Sequence, residues 1–279
     1  MHRSPPHSIV VPDRWQDRRL EVYRHPASST GAPELLFLHE ALGSVGLWRG
    51  YPQRLATELG AGWSAYSRPG HGRSQGPAGP RPLDYLDHES RRVLPEVLAE
   101  LGLTEPVLYG HSDGATIALI YAAAATESLT TATPLPQPRA LVLEAPHVFV
   151  EDVTTAGIRR TVATWQNTDL PLRLGRHHDD AADVFAAWHG IWLNPEFRSW
   201  NIEALLPSVR CPVLIVQGEN DEYGTMAQVE AIVRHVTGEI VVGLLPDCGH
   251  APHRERPDEV RSLVCRFLRT VLSSAFGSK

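Results

Sequence analysis

Residues 107–119 read Val107-Leu108-Tyr109-Gly110-His111-Ser112-Asp113-Gly114-Ala115-Thr116-Ile117-Ala118-Leu119. An apolar run enters a G-x-S-x-G segment, and small and apolar residues leave it. The first part suits a strand covered on both faces, the last a buried helix. Between them the glycines leave room for a sharp turn that holds Ser112 in a strained conformation at the sheet's edge. The helix that follows directs its first amides toward developing negative charge. G-x-S-x-G by itself also arises in ordinary strand-to-helix turns. With a strand before it and a helix after it, it marks Ser112 as a nucleophile.

A serine hydroxyl is scarcely ionised at neutral pH, so it needs a base, and the base needs an orienting carboxylate. Two later apolar runs supply them in order. Val213-Leu214-Ile215-Val216 leads into Gln217-Gly218-Glu219-Asn220-Asp221, and residues 240–245 lead into Pro246-Asp247-Cys248-Gly249-His250. Asp221 and His250 are thereby presented beyond two strand ends. Glu144, at the end of Leu141-Val142-Leu143, is the rival acid.

Further outward the same rhythm continues. Leu35-Leu36-Phe37-Leu38 is another continuous apolar run, and residues 19–25 and 64–68 add two strand candidates. Helical stripes alternate with them: Leu47, Tyr51, Leu55, Leu59; Leu86, Val93, Val97, Leu101; Val229, Val233, Val236; and Val260, Val264, Phe267, Val271. Strands alternating with helices predict an α/β fold with a mostly parallel sheet. Two stretches break the rhythm. Residues 126–138 are rich in Thr, Ala and Pro and read as an exposed loop. Residues 147–207 hold helix-like pieces and Trp165, Trp188, Trp192 and Trp200, four of the chain's seven tryptophans. The expected division is a core of residues 1–146 and 208–279 with a helical cap, 147–207, inserted between two strands.

Composition narrows the function. A chain of 279 residues is long enough for one sizeable α/β domain. Its net charge of −6 argues against nucleic acid or an anionic membrane as partner. Three scattered cysteines make neither a disulfide framework nor a zinc site. No apolar run is long enough to span a membrane, and the opening Met-His-Arg-Ser-Pro-Pro-His lacks the apolar stretch of a secretion signal. These features predict a cytoplasmic protein; a monomer or homodimer acting on a small molecule is expected, and a serine nucleophile with its own base requires no metal or organic cofactor.

Four motifs in order, His39-Glu40-Ala41-Leu42-Gly43, Ser67-Arg68-Pro69-Gly70-His71-Gly72-Arg73-Ser74, residues 110–114 and Gly249-His250, make the chain resemble the α/β-hydrolase family. The likeness is to its single-domain esterase-like and C–C-bond-hydrolase-like members, and runs from about residue 19 to the C-terminal helix. It implies a twisted sheet of about eight strands with helices on both faces. It also implies an oxyanion hole formed by the backbone N–H groups of Asp113 and Ala41. The 67–74 motif resembles the family's glycine-rich loop after the fourth strand, a structural element. Where the family usually has His-Gly, this chain has His39-Glu40. Glu40 is strained if that position needs a positive φ; otherwise the backbone takes another path, or the carboxylate joins the pocket wall.

The expected reaction is hydrolysis of an ester or related acyl bond of a small, partly apolar substrate, with Ser112 attacking, His250 as base and Asp221 orienting it. C–C-bond, lactone or thioester hydrolysis uses the same residues, and a ligand receptor on the same fold is the more distant alternative. Glu40, His147, Trp188 and Trp192 are candidate substrate-binding residues. The neighbouring polar residues have simpler readings. His111 is a hydrogen-bonded packing residue, His253 a surface neighbour of the base, Cys248 buried filler, and His177-His178-Asp179-Asp180 a solvated turn rather than a metal site.

Overall fold

A computed structural model of the chain describes residues 7–11, 18–27, 29 and 31–274; residues 1–6, read above for a secretion signal, lie outside the described residues. The strands are β1 (His7–Val11), β2 (Arg18–His25), β3 (Glu34–Leu38), β4 (Gly62–Tyr66), β5 (Val107–His111), β6 (Ala140–Glu144), β7 (Val213–Gly218) and β8 (Ile240–Leu245). The helices are α1 (Tyr51–Leu59), α2 (Tyr85–His88), α3 (Leu94–Leu101), α4 (Asp113–Ser128), α5 (Asp152–Asn167), α6 (Leu170–Gly175), α7 (Ala181–Trp192), α8 (Met226–His235), α9 (Pro252–Glu255) and α10 (Pro257–Ser274). Among the described residues the eight strands form one sheet in the order β1-β2-β4-β3-β5-β6-β7-β8. β2 runs antiparallel to β1 and to β4; the other pairings are parallel. This is the mostly parallel, helix-covered sheet that the alternating pattern predicted.

The apolar runs explain the layers. Every residue of β5, β6 and β7 is buried, because successive side chains point to opposite faces and both faces are covered. Phe37, Tyr109, Val142 and Leu214 meet α1 and α10 on one face. Leu36, Leu108, Leu141 and Ile215 meet α3, α4 and α8 on the other. Glycine ends two helices where the chain must turn left-handed: Gly60 (φ 63°) after α1 and Gly102 (φ 65°) after α3.

Some expectations are corrected. The apolar run of β8 is not covered on both faces: Val241, Val242 and Leu244 are each about two-fifths exposed, since β8 is an edge strand. Val233 on α8 points outward, and Ile232 takes its place between Val229 and Val236 in the buried stripe. The 86–101 stripe is buried but not one regular helix; a π-helical turn, Glu89–Val93, joins α2 to α3. The stripe from Leu47 begins in a short 3-10 turn, with α1 starting only at Tyr51. The exposed connection after the elbow helix is shorter than expected, because α4 runs on to Ser128.

α5, α6, α7 and two 3-10 turns, Pro195–Ser199 and Glu203–Ser208, lie between β6 and β7. α5 opens with a capping box of Glu151 and Thr154, and α7 with the Asp180 carboxylate accepting the Asp183 N–H. The sheet order reverses between β3 and β5. A crevice at the carboxyl ends of the strands is expected at such a point, and the loops after β3, β5, β7 and β8 converge there.

Candidate active site

Ser112 links β5 to α4 at φ 53°, ψ −116°, a conformation that side-chain-bearing residues adopt only under constraint. The flanking glycines supply the constraint. A Cβ on Gly110 would lie 2.3 Å from the Gly114 carbonyl oxygen, and one on Gly114 only 2.0 Å from that of Leu38. The elbow is thus wedged against the end of β3, and neither position admits a larger residue.

Asp221 and His250, 109 or more residues downstream in sequence, come to the same point. The His250 Nε2 lies 2.9 Å from Ser112 Oγ, and its Nδ1 lies 2.8 and 2.9 Å from the two Asp221 oxygens. Asp221 is itself anchored: Oδ1 accepts the Tyr223 and Gly224 N–H groups and Oδ2 accepts Gln217 Nε2. Burial alone would raise the Asp221 pKa, but the charge and hydrogen bond of His250 and the Tyr223 N–H outweigh it and hold the carboxyl well below its usual range. Burial works to lower the His250 pKa; Asp221, with Glu222 and Glu40 nearby, more than offsets it and raises the imidazole above 6.5. The group facing Ser112 is therefore a base strengthened by its carboxylate partner.

Glu144 is not at this point. It is fully buried, accepting the Tyr109 hydroxyl on one oxygen and the backbone N–H (2.9 Å) and Nδ1 (2.8 Å) of His253 on the other. His253 is accordingly no surface residue: it is 5% exposed, held under the site by that carboxylate. His111 is buried and donates from Nε2 to the His250 carbonyl at 2.7 Å. Its partner is the backbone of the base, which the sequence could not indicate. Burial pushes its pKa down to about 3.

A cavity of about 200 Å³ opens over Ser112. Ala41 and Asp113 line it, and so do Glu40, His147, Trp188 and Trp192. Trp188 and Trp192, four residues apart, share one face of α7. Trp192 also donates from Nε1 to the Tyr85 hydroxyl at 2.9 Å and packs edge-on to Phe197 and Trp200, so it is core as well as wall. His147 is buried with its ring 5.7 Å from that of His250, and burial pushes its pKa down to about 4. Glu40 does not adopt a positive φ. Its Oε2 accepts the Leu42 N–H at 2.6 Å, so the carboxylate bridges its own turn beside the cavity.

The sequence reading missed Thr154 and Ile158, a four-residue pair on α5, and Glu222 and Tyr223, which also line the cavity. Glu222 and Tyr223 directly follow Asp221, and that adjacency was the available signal. The 177–180 segment is not simply solvated. His178 is 2% exposed, accepting the Gly72 N–H and donating to the Leu42 carbonyl, which ties the inserted helices to two core loops. Among the described residues no three His, Cys, Asp or Glu side chains converge to hold a metal ion, and no helix is long and apolar enough to cross a membrane. Cys248 is fully buried.

Comparison with known proteins bears on this geometry. The sequence model of the alpha/beta hydrolase family matches residues 35–263. The mouse protein "Serine hydrolase BPHL" is 29% identical over 210 residues, 74% of this chain and 68% of that protein. Among solved structures, a carboxylesterase of the archaeon Nitrososphaera gargenis superposes with a TM-score of 0.74 at 18% identity, covering 96% of this chain and 100% of that one. An enol-lactonase from Burkholderia xenovorans does so at 0.66 and 17%, covering 90% and 97%. The two structures share the fold; the family match reaches across elbow, insertion and both downstream strand ends. The chain belongs to the alpha/beta hydrolase family and is a hydrolase.

Proposed function

We propose that the protein is a serine hydrolase that cleaves a carboxylic ester of a small, partly apolar substrate through an acyl-enzyme. The hydrogen-bonded series Asp221–His250–Ser112, opening on the cavity, carries this reading. Ser112 Oγ attacks the carbonyl carbon while His250 Nε2 takes its proton. The tetrahedral oxyanion is held by the N–H groups of Asp113 and Ala41, the alcohol leaves with the proton from His250, and water repeats the sequence to free the acid. The relative named a serine hydrolase and the carboxylesterase structure are consistent with this chemistry. The test is turnover of p-nitrophenyl acetate and butyrate, with product analysis on a vinylogous 1,5-diketone and on lactones and acyl thioesters. Turnover of the latter substrates and not of esters would move the protein to another bond type, and no turnover of any would make it a receptor.

Residues 147–207 are read as a cap that shapes the acyl pocket. Trp188→Ala is expected to change the preferred acyl-chain length several-fold, since it opens the cavity wall, and to lower the melting temperature, since Trp188 is buried and packs edge-on to Phe185 and Tyr223. Trp192→Ala is expected to change both as well, because it leaves Tyr85, Phe197 and Trp200 without their neighbour. An unchanged chain-length profile for Trp188→Ala would remove α7 from the pocket.

Activity is expected to rise with pH through one ionisation. His250 accepts a proton only as neutral imidazole, so activity is present above its pKa and falls about tenfold per pH unit below it. With the pKa raised by Asp221, Glu222 and Glu40, the acid limb of kcat/KM is expected above pH 6.5. His147 and His111, pushed down to about 4 and about 3, stay neutral in that window. A flat profile between about pH 5 and 8 would exclude His250 as the base.

A further inference from the structure

The 67–74 segment was read as a structural loop, yet Arg68 within it reaches both halves of the proposed oxyanion hole. Its guanidinium is buried, 2% exposed, at the turn after β4. Nη2 donates to the Glu40 carbonyl at 3.0 Å, and Nη1 lies 3.3 Å from Asp113 Oδ2. The Arg68 backbone N–H donates to His39 Nε2 at 3.0 Å, which leaves His39 Nδ1 to donate to the same Glu40 carbonyl at 2.7 Å. The Gly43 N–H completes the set at 2.9 Å. Three donors, one of them the Arg68 side chain and one a histidine set by the Arg68 backbone N–H, thus fix the direction of one carbonyl.

That carbonyl shares a peptide plane with the Ala41 N–H. A trans peptide points its C=O and N–H in opposite directions and resists twisting, so fixing the Glu40 oxygen aims the Ala41 N–H. A cation on the oxygen also polarises the plane and strengthens the N–H as a donor. On the other side the Asp113 carboxylate is held by Arg68, by the Tyr85 hydroxyl at 3.1 Å and by Arg81 at 3.8 Å. Stability is a weak account of the arrangement, because buried ion pairs about break even against apolar groups of equal volume. A planar fork spanning two partners is instead a geometric device that a lysine cannot reproduce.

We propose that Arg68 is a positioning residue for the oxyanion hole, aiming the Ala41 N–H through the Glu40 carbonyl and fixing Asp113 through its carboxylate. The assignment rests on the ester-hydrolase reading above. Arg68→Met, Arg68→Lys and the double variant Arg68→Met with Asp113→Asn test it; the double variant leaves no unpaired buried carboxylate and keeps a folded comparison. Each is assayed for kcat and KM on p-nitrophenyl butyrate and for affinity toward an alkyl trifluoromethyl ketone, which forms a serine-bound oxyanion. Losing a whole oxyanion donor costs about 10²–10³-fold, so its misdirection is expected to lower kcat about 10–100-fold. KM should stay within about twofold, ketone affinity should fall by the same factor as kcat, and Arg68→Lys should recover only part of the loss. Unchanged kcat in a folded variant, or a loss of kcat with undiminished ketone affinity, overturns the Arg68 assignment alone. A wild-type protein that neither turns over esters nor takes a fluorophosphonate on Ser112 overturns the ester-hydrolase reading and Arg68 with it.

Discussion

Replacing Ser112 by alanine is expected to lower kcat on p-nitrophenyl butyrate by about 10⁶-fold, with a residue of rate still above that of water. The loss should be chemical and not structural. Ser112 already occupies φ 53°, ψ −116°, and alanine meets the same backbone demand. The elbow is set by the contacts of Gly110 and Gly114 with backbone atoms, none of which involves the serine hydroxyl. Among the described residues the hydroxyl's hydrogen-bond partner is His250 Nε2. Melting temperature should therefore move little while the rate collapses. The surviving rate would come from substrate binding and the oxyanion donors, which remain in place. A fluorophosphonate should leave one adduct, on the peptide containing Ser112, and none on the alanine variant. Labelling elsewhere, or equal labelling of both proteins, would mean a different nucleophile.

Ser112 was legible because its signal is local: an apolar strand, a turn and a helix within thirteen residues. The same holds for Asp221 and His250, each just past an apolar run, and for the strands buried on both faces. Other features depend on partners far along the chain. β1 pairs with β2 through five residues, and although Pro6 and Pro12 bracket it, its apolar run, Ile9-Val10-Val11, is only three residues long. β8 has the apolar run of a central strand but only one neighbour, so composition overstates its burial. His178 and His253 looked like surface residues because their partners, Gly72 and Glu144, lie more than a hundred positions away. Arg68 is the sharpest case. Its position in a glycine-rich motif suggests a turn, while its contacts lie with Glu40 on the loop after β3 and with Asp113 at the start of α4. Local pattern brings out the elbow serine and the two residues past later strand ends, whereas contacts such as those of Arg68 emerge only when the chain is folded.

Asp221→Asn is expected to keep the fold and to lower kcat by about 10³–10⁴-fold, whereas Glu144→Gln should cost far less. The hydrogen bonds around Asp221 decide how an asparagine would sit. Oδ1 accepts two backbone N–H groups, from Tyr223 and Gly224, so the amide oxygen stays there. The NH₂ then takes the Oδ2 position, 2.9 Å from His250 Nδ1 and 2.8 Å from Gln217 Nε2. Gln217 accommodates it: its Oε1 is buried with no hydrogen-bond partner among the described residues, and a flip of its amide turns that oxygen to the new donor. His250 Nδ1 then lies 2.8 Å from the amide oxygen and 2.9 Å from the NH₂. The NH₂ competes for Nδ1 as an acceptor, and the tautomer that answers it carries its proton on Nε2, toward Ser112. In either tautomer no carboxylate remains to stabilise the imidazolium. Glu144→Gln disturbs a different set of partners, Tyr109 and His253, and leaves the Asp221–His250 hydrogen bonds in place. Its cost should appear as lost stability, about 1.5–3 kcal/mol for hydrogen bonds to a buried charged group, with kcat within about tenfold. The check is kcat and melting temperature measured on both variants. If Glu144→Gln silences the enzyme while Asp221→Asn remains active, the orienting carboxylate is at the end of β6 and not beyond β7.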